Sequence, residues 1–111
     1  MIVTFVTAHL CRHHLLNEPW LHRTARISQK VLIPCDLPTN VTARWRYCPG
    51  EHDEIEHLTA HGLIVDKRKD RLQLEPNGLL ITDVQPGDSG WYIYQERHGA
   101  KRVVQLTVPC T

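Results

Sequence analysis

Four cysteines and eight histidines are the side chains of this 111-residue chain with the most chemistry to offer. The run Cys11-Arg12-His13-His14, together with His52, His57 and His61, invites a zinc reading. Zinc needs ligands held in a fixed tetrahedron, most often supplied by short-spaced pairs such as C-x2-C. No such pair occurs, and His57 and His61 share a face only if their stretch is helical. Exposed histidines that titrate near neutral pH are the ordinary reading, so no metal and no cofactor are expected. Nucleophilic catalysis has no frame either. There is no G-x-S-x-G elbow and no glycine loop to cradle phosphate. Glu51, Asp53, Glu54 and Glu56 read as a solvated charge run. The expectation is a protein that is not an enzyme.

Charge narrows the partners. Thirteen Lys and Arg against twelve Asp and Glu leave no basic field, which excludes nucleic acid held by its phosphates. No run is long enough to span a bilayer, so a membrane enters only through a longer parent chain. An even number of cysteines in a small domain fits disulfides and an oxidising compartment, with three connectivities open. Asn40-Val41-Thr42 fits the N-glycosylation sequon between turn-forming residues.

The elements that carry these residues are short. Turn signals recur at Asp36-Leu37-Pro38, Pro49-Gly50, Pro76-Asn77-Gly78, Pro86-Gly87-Asp88 and His98-Gly99, and period-two alternation fills the gaps. That is the pattern of an all-β, two-sheet antiparallel Greek-key sandwich. Val31, Ile33 and Cys35 fall on one face of their run. Ala43, Trp45 and Tyr47 oppose Arg44, Arg46 and Cys48. Tyr92 and Tyr94 oppose Trp91, Ile93 and Gln95, and Val104, Leu106 and Val108 alternate with Val103, Gln105 and Thr107. Residues 51 to 70 carry no clear period and fit a short edge strand, a loop or one helical turn. Residues 1–22 are expected as an extra strand, a linker or a signal remnant, and 23–111 as the domain.

The stretch LLITDVQPGDSGWYIY, residues 79 to 94, resembles the E-to-F strand signature of the immunoglobulin superfamily, variable or intermediate type. VLIPC resembles strand B and ARWRY strand C, with Trp45 ten residues after Cys35. The run from residue 78 to 108 is also loosely similar to semaphorin immunoglobulin domains. The resemblance implies a structural core of Cys35, Trp45, Tyr92, Tyr94, Asp88 and Arg71. In it Tyr92 is the tyrosine of the corner, and Arg71 pairs with Asp88.

The departure is Tyr94, which stands where the family has the second cysteine of its cross-sheet disulfide. Cys35 then lacks that partner and is expected as a small buried hydrophobe, with the Tyr94 ring filling space beside Trp45. Strand C is expected to run toward the end where strand G finishes. Cys110 is therefore expected to bridge to Cys48 or Cys11, or one cysteine to bond another chain. The outward G-F-C face carries Trp91, Ile93, Arg44, Arg46 and Val103, a composition typical of interaction patches. An N-terminal segment folded over that patch is the competing expectation.

The functional expectation is an extracellular or cell-surface recognition and adhesion module, secreted or an ectodomain, that binds a protein partner or a second copy of itself. The alternative is an architectural domain that stabilises assembly of a larger receptor or secreted ligand.

Overall fold

The computed structural model describes residues 10–15, 19–37, 43–97 and 99–109. Two sheets face each other. One has five strands: β1 (Leu21–Thr24), β3 (Arg44–Cys48), β4 (Glu56–His57), β9 (Gly90–Gln95) and β10 (Lys101–Thr107). Their spatial order is β1-β10-β9-β3-β4, antiparallel except where β1 runs parallel to β10. The other has three: β2 (Val31–Pro34), β7 (Leu72–Glu75) and β8 (Gly78–Ile81), in the order β2-β8-β7. The all-β sandwich expected from the alternation is borne out.

The inward set of each strand makes the core. Ile33, Leu79 and Ile81 from one sheet meet Trp45, Tyr47, Tyr92, Tyr94, Val104 and Leu106 from the other, and all are buried. Each fully buried aliphatic side chain contributes about 1.5–3 kcal/mol. Two such side chains therefore match the ~2–4 kcal/mol of a typical disulfide, and this core extends over many more.

The pole where β8 leads into β9 is tied by three polar groups. A 3-10 turn at Pro86–Asp88 places the Asp88 carboxylate to accept from the Gln85 amide at 2.8 Å. Arg71 grips the same carboxylate with both Nη atoms, at 2.6 and 2.9 Å. The buried Tyr92 hydroxyl donates to the Asp88 carbonyl at 2.6 Å. A buried phenol needs such a partner, and the backbone four residues upstream supplies it. Gly90, at φ 145°, lets β9 lie close to β3: a Cβ there would fall 2.5 Å from the Cys48 carbonyl oxygen.

The 51–70 stretch resolves into β4, a two-stranded hairpin and a 3-10 turn at Asp66–Arg68. The hairpin is β5 (Thr59–Ala60) and β6 (Leu63–Ile64), closed by His61 and Gly62 with φ of 55° and 80°. Positive φ at both positions is the requirement of a tight hairpin turn. β1 spans residues 21 to 24, so positions 22 and 23 lie within one strand.

Candidate functional site: the outer face of the five-stranded sheet

Register fixes the outer face in three rows. Arg44 and Lys101 lie either side of Gln95, Arg46 and Val103 either side of Ile93, and Cys48 and Gln105 either side of Trp91. Residues 10 to 15 form a strap over the last two rows. Leu10 bridges to Glu54, a 3-10 turn covers Cys11–His13, and the Cys11 and Arg12 amides donate to the Asp53 and Glu51 carbonyls at 2.8 Å. Cys11 is disulfide-bonded to Cys48, their Cα atoms 5.7 Å apart. Cys11, Cys48 and Ile93 make a second buried cluster, with Leu15, Ile55, Trp91 and Val103 packed around it.

This corrects the expectation of an open apolar patch. Ile93 is fully buried, Arg46 is 8% exposed, and Trp91 and Val103 are half-buried. Of the five, Arg44 alone is exposed. Alternation placed them correctly on one face, but a face read from period two carries no information about what lies over it. The sulfur pairing is corrected as well. Cys48 bonds Cys11, while Cys110 lies outside the described residues, as does Asn40.

On the inner side, Tyr94 meets Trp45 edge to face, ring centroids 5.3 Å apart at 63°. Both are 5% exposed. Cys35 is a free thiol and only half-buried, where a small buried hydrophobe was expected. It borders a cavity of about 100 Å³ together with Ala43, Trp45 and Tyr94. Desolvation pushes its thiol up from the ordinary range.

Charges inside the fold are mostly matched. Burial works against the charge of Asp88, yet hydrogen bonds from Arg71 and the Gln85 amide hold its carboxyl below the usual range. Arg68 binds both oxygens of Glu56, at 2.6 and 2.8 Å, and lies 5.6 Å from the centre of the Tyr47 ring. The Tyr47 hydroxyl donates to the Ser89 carbonyl, and desolvation pushes its pKa up to about 12.

The outer face is different. Burial first, and Arg44 second, lower the pKa of Arg46; burial first, and Arg46 second, lower that of Lys101. Lys101 and Gln95 are the site residues that sequence reasoning missed. Their signal was present, since period two puts Lys101 on the face of Val103. Among the described residues the histidines show no convergence. His57 sits on β4 and His61 in the hairpin turn, rather than on one helical face. Among the described residues no three His, Cys, Asp or Glu side chains gather as a metal set.

Two sheets in this order, with a tyrosine corner and a tryptophan packed between them, define an immunoglobulin-like domain. Solved structures with this fold include the first immunoglobulin domain of the mouse polymeric immunoglobulin receptor, at TM-score 0.60 and 21% identity over 78% of this chain and 88% of that one. A structure of VGSC beta subunits aligns at TM-score 0.60 and 20% identity, over 81% of this chain and 92% of that one. A marsupial T cell receptor aligns at TM-score 0.60 and 18% identity, over 81% of this chain and 49% of that one. No family model matches the sequence, and no curated protein matches it. Among the described residues no helix is long and apolar enough to cross a membrane.

Proposed function

We propose that the chain is a non-catalytic recognition or adhesion module of the extracellular space or cell surface. It binds protein through the edge of the outer sheet face that lies beyond the strap, around Arg44 and Gln95. The single observation that carries this reading is the division of that face. One part is closed by a disulfide-clamped strap, and the other presents the exposed Arg44, which takes part in no ion pair among the described residues. The Cys11–Cys48 bond supports an oxidising compartment. Two structural neighbours, a receptor domain and beta subunits described for cell-adhesive interactions, support the same class of role, although fold alone does not determine function.

The test is binding of the multimerised chain to intact cells, alongside self-association in solution. Arg44→Glu abolishes whichever occurs while leaving the melting transition in place. Binding that is indifferent to Arg44→Glu contradicts the proposal. The cover over Ile93, Trp91 and Val103 favours a second reading, an architectural domain in a larger receptor or secreted ligand, for which assembly of the parent depends on the domain and the isolated domain binds nothing.

A further inference from the structure

The cavity beside Cys35 lies inside the sandwich, at the end where β2 stops and β3 starts. Its volume is about 100 Å³. Trp45 and Tyr94 wall it from the five-stranded sheet, Leu74 and Gly78 from the three-stranded sheet, and Thr59 and Gly62 from the β5–β6 hairpin. Protein interiors are packed as densely as organic crystals, with few voids larger than a water molecule. A void of this size forfeits contacts that its lining would otherwise make.

The chemistry of the wall favours an apolar occupant over water. Thr59 Oγ1 already accepts from the Trp45 amide at 3.2 Å, and the Leu37 amide hydrogen-bonds the Cys35 sulfur. Glu75 borders the cavity, but its carboxylate accepts from Gln73 Nε2 at an exposed contact of 3.4 Å. Among the described residues, Arg46 Nε is the single buried side-chain nitrogen or oxygen without a hydrogen bond, and Arg46 belongs to the outer face. A buried water needs two to four polar partners, and no unmet side-chain partner is offered here. Leu74 is 37% exposed and Pro76 is exposed as well, so the rim reaches solvent on that side.

We propose that this cavity is a binding site for a small apolar molecule, no larger than one aromatic ring or a short hydrocarbon chain. A cavity of about 150 Å³ lined by aliphatic and aromatic side chains stays dry and takes benzene or xenon, and the smaller volume here sets the limit at a single ring. The Trp45 and Tyr94 rings suit an edge or offset contact with such a ring, and the Cys35 thiol behaves as a small hydrophobe. The site lies between the sheets, so it stands apart from the recognition reading on the outer face.

The experiment uses the full chain, with benzene as the probe and Cys35 as the reporter. Iodoacetamide labelling is followed by mass spectrometry at the peptide that carries Cys35. An occupied cavity shields the thiol, so labelling slows by the factor 1 + [L]/Kd, about fourfold at about three times Kd, and the melting temperature rises over the same range. Ala43 is half-buried on the cavity wall. Ala43→Leu fills the space and abolishes both effects, and Ala43→Val is the second variant should the first fail to fold. No slowing by benzene, or slowing that persists in the folded variant, overturns the site. Pyrimidine, a polar ring of similar size, protecting as well as benzene overturns the apolar assignment.

Leu63 supplies the competing occupant. It is 71% exposed and follows Gly62 of the cavity wall. Protection that appears without benzene as the protein concentration rises, and that Leu63→Ser removes, overturns the small-molecule assignment in favour of a side chain from a second copy.

Discussion

Tyr94 presents its ring edge-on to Trp45 at a centroid distance of 5.3 Å, and Cys35 remains a free thiol beside the pair. An aromatic contact therefore lies between the sheets where the resemblance places a sulfur bridge. Such pairs add about 0.5–1.5 kcal/mol beyond the area they bury.

Removing the ring tests its share. Tyr94→Ala enlarges the cavity already present beside Cys35 and is expected to cost about 3–5 kcal/mol, the range for truncating a buried aromatic. Urea unfolding measures it. A loss under ~1 kcal/mol shows that the ring does not hold the sheets together.

The tyrosine corner makes a smaller prediction. Tyr92→Phe removes one buried hydrogen bond and keeps the ring, so its expected cost is about 1 kcal/mol. The Asp88 carbonyl is then left without that donor. The same urea experiment reads it, with an unchanged denaturant slope as the sign that the fold is kept.

Much of this was legible beforehand, because a buried strand face and a buried phenol leave local marks. Tyr92, Asp88 and Arg71 sit at fixed positions around one turn, and alternation separated Trp45 and Tyr94 from Arg46 and Ile93. The strap was legible only as the competing expectation of an N-terminal segment over the patch, and its sulfur pairing was not legible. Cys11 and Cys48 are 37 residues apart, and pairing over such a distance is not encoded in local pattern. Burial of Arg46 and Ile93 followed from that strap, so their exposure was misjudged while their face was not. The hairpin at His61 and Gly62 was left open for a different reason: a turn built on His-Gly lacks the usual Asn-Gly signal.

Acid should weaken the Arg71–Asp88 tie. The folded carboxyl has a depressed pKa, so its contribution is complete above the unfolded value near 3.9 and is lost as pH falls through the folded value. Arg71→Met leaves the Asp88 charge, 4% exposed, without its cation. With Arg71 itself partly in solvent, the expected cost is about 2 kcal/mol at pH 7. The gap between wild type and variant should narrow below pH ~4. Unfolding curves at pH 7, 4 and 3 check this, and a gap constant over that range contradicts it.

The Cys35 thiol should react slowly. Its raised pKa leaves less thiolate at any given pH than a free cysteine has, and half-burial limits access. Labelling with a chromogenic disulfide at pH 8 should run slower than for glutathione and speed up in urea. A rate equal to that of glutathione contradicts the placement beside Trp45.

Opening the strap should uncover the sheet. Cys11→Ala combined with Cys48→Ala removes a cross-link of about 3–4 kcal/mol by loop entropy. Acrylamide quenching of tryptophan should then rise as Trp91 becomes exposed. Unchanged quenching shows that residues 10 to 15 stay in place without sulfur.

Peptide mapping under non-reducing conditions, with free thiols alkylated first, tests the arrangement most directly. It should return Cys11 joined to Cys48 and Cys35 carrying the alkyl label. Cys35 recovered in a bridge, or Cys48 joined to Cys110, would contradict both the strap over the outer face and a core closed by Tyr94.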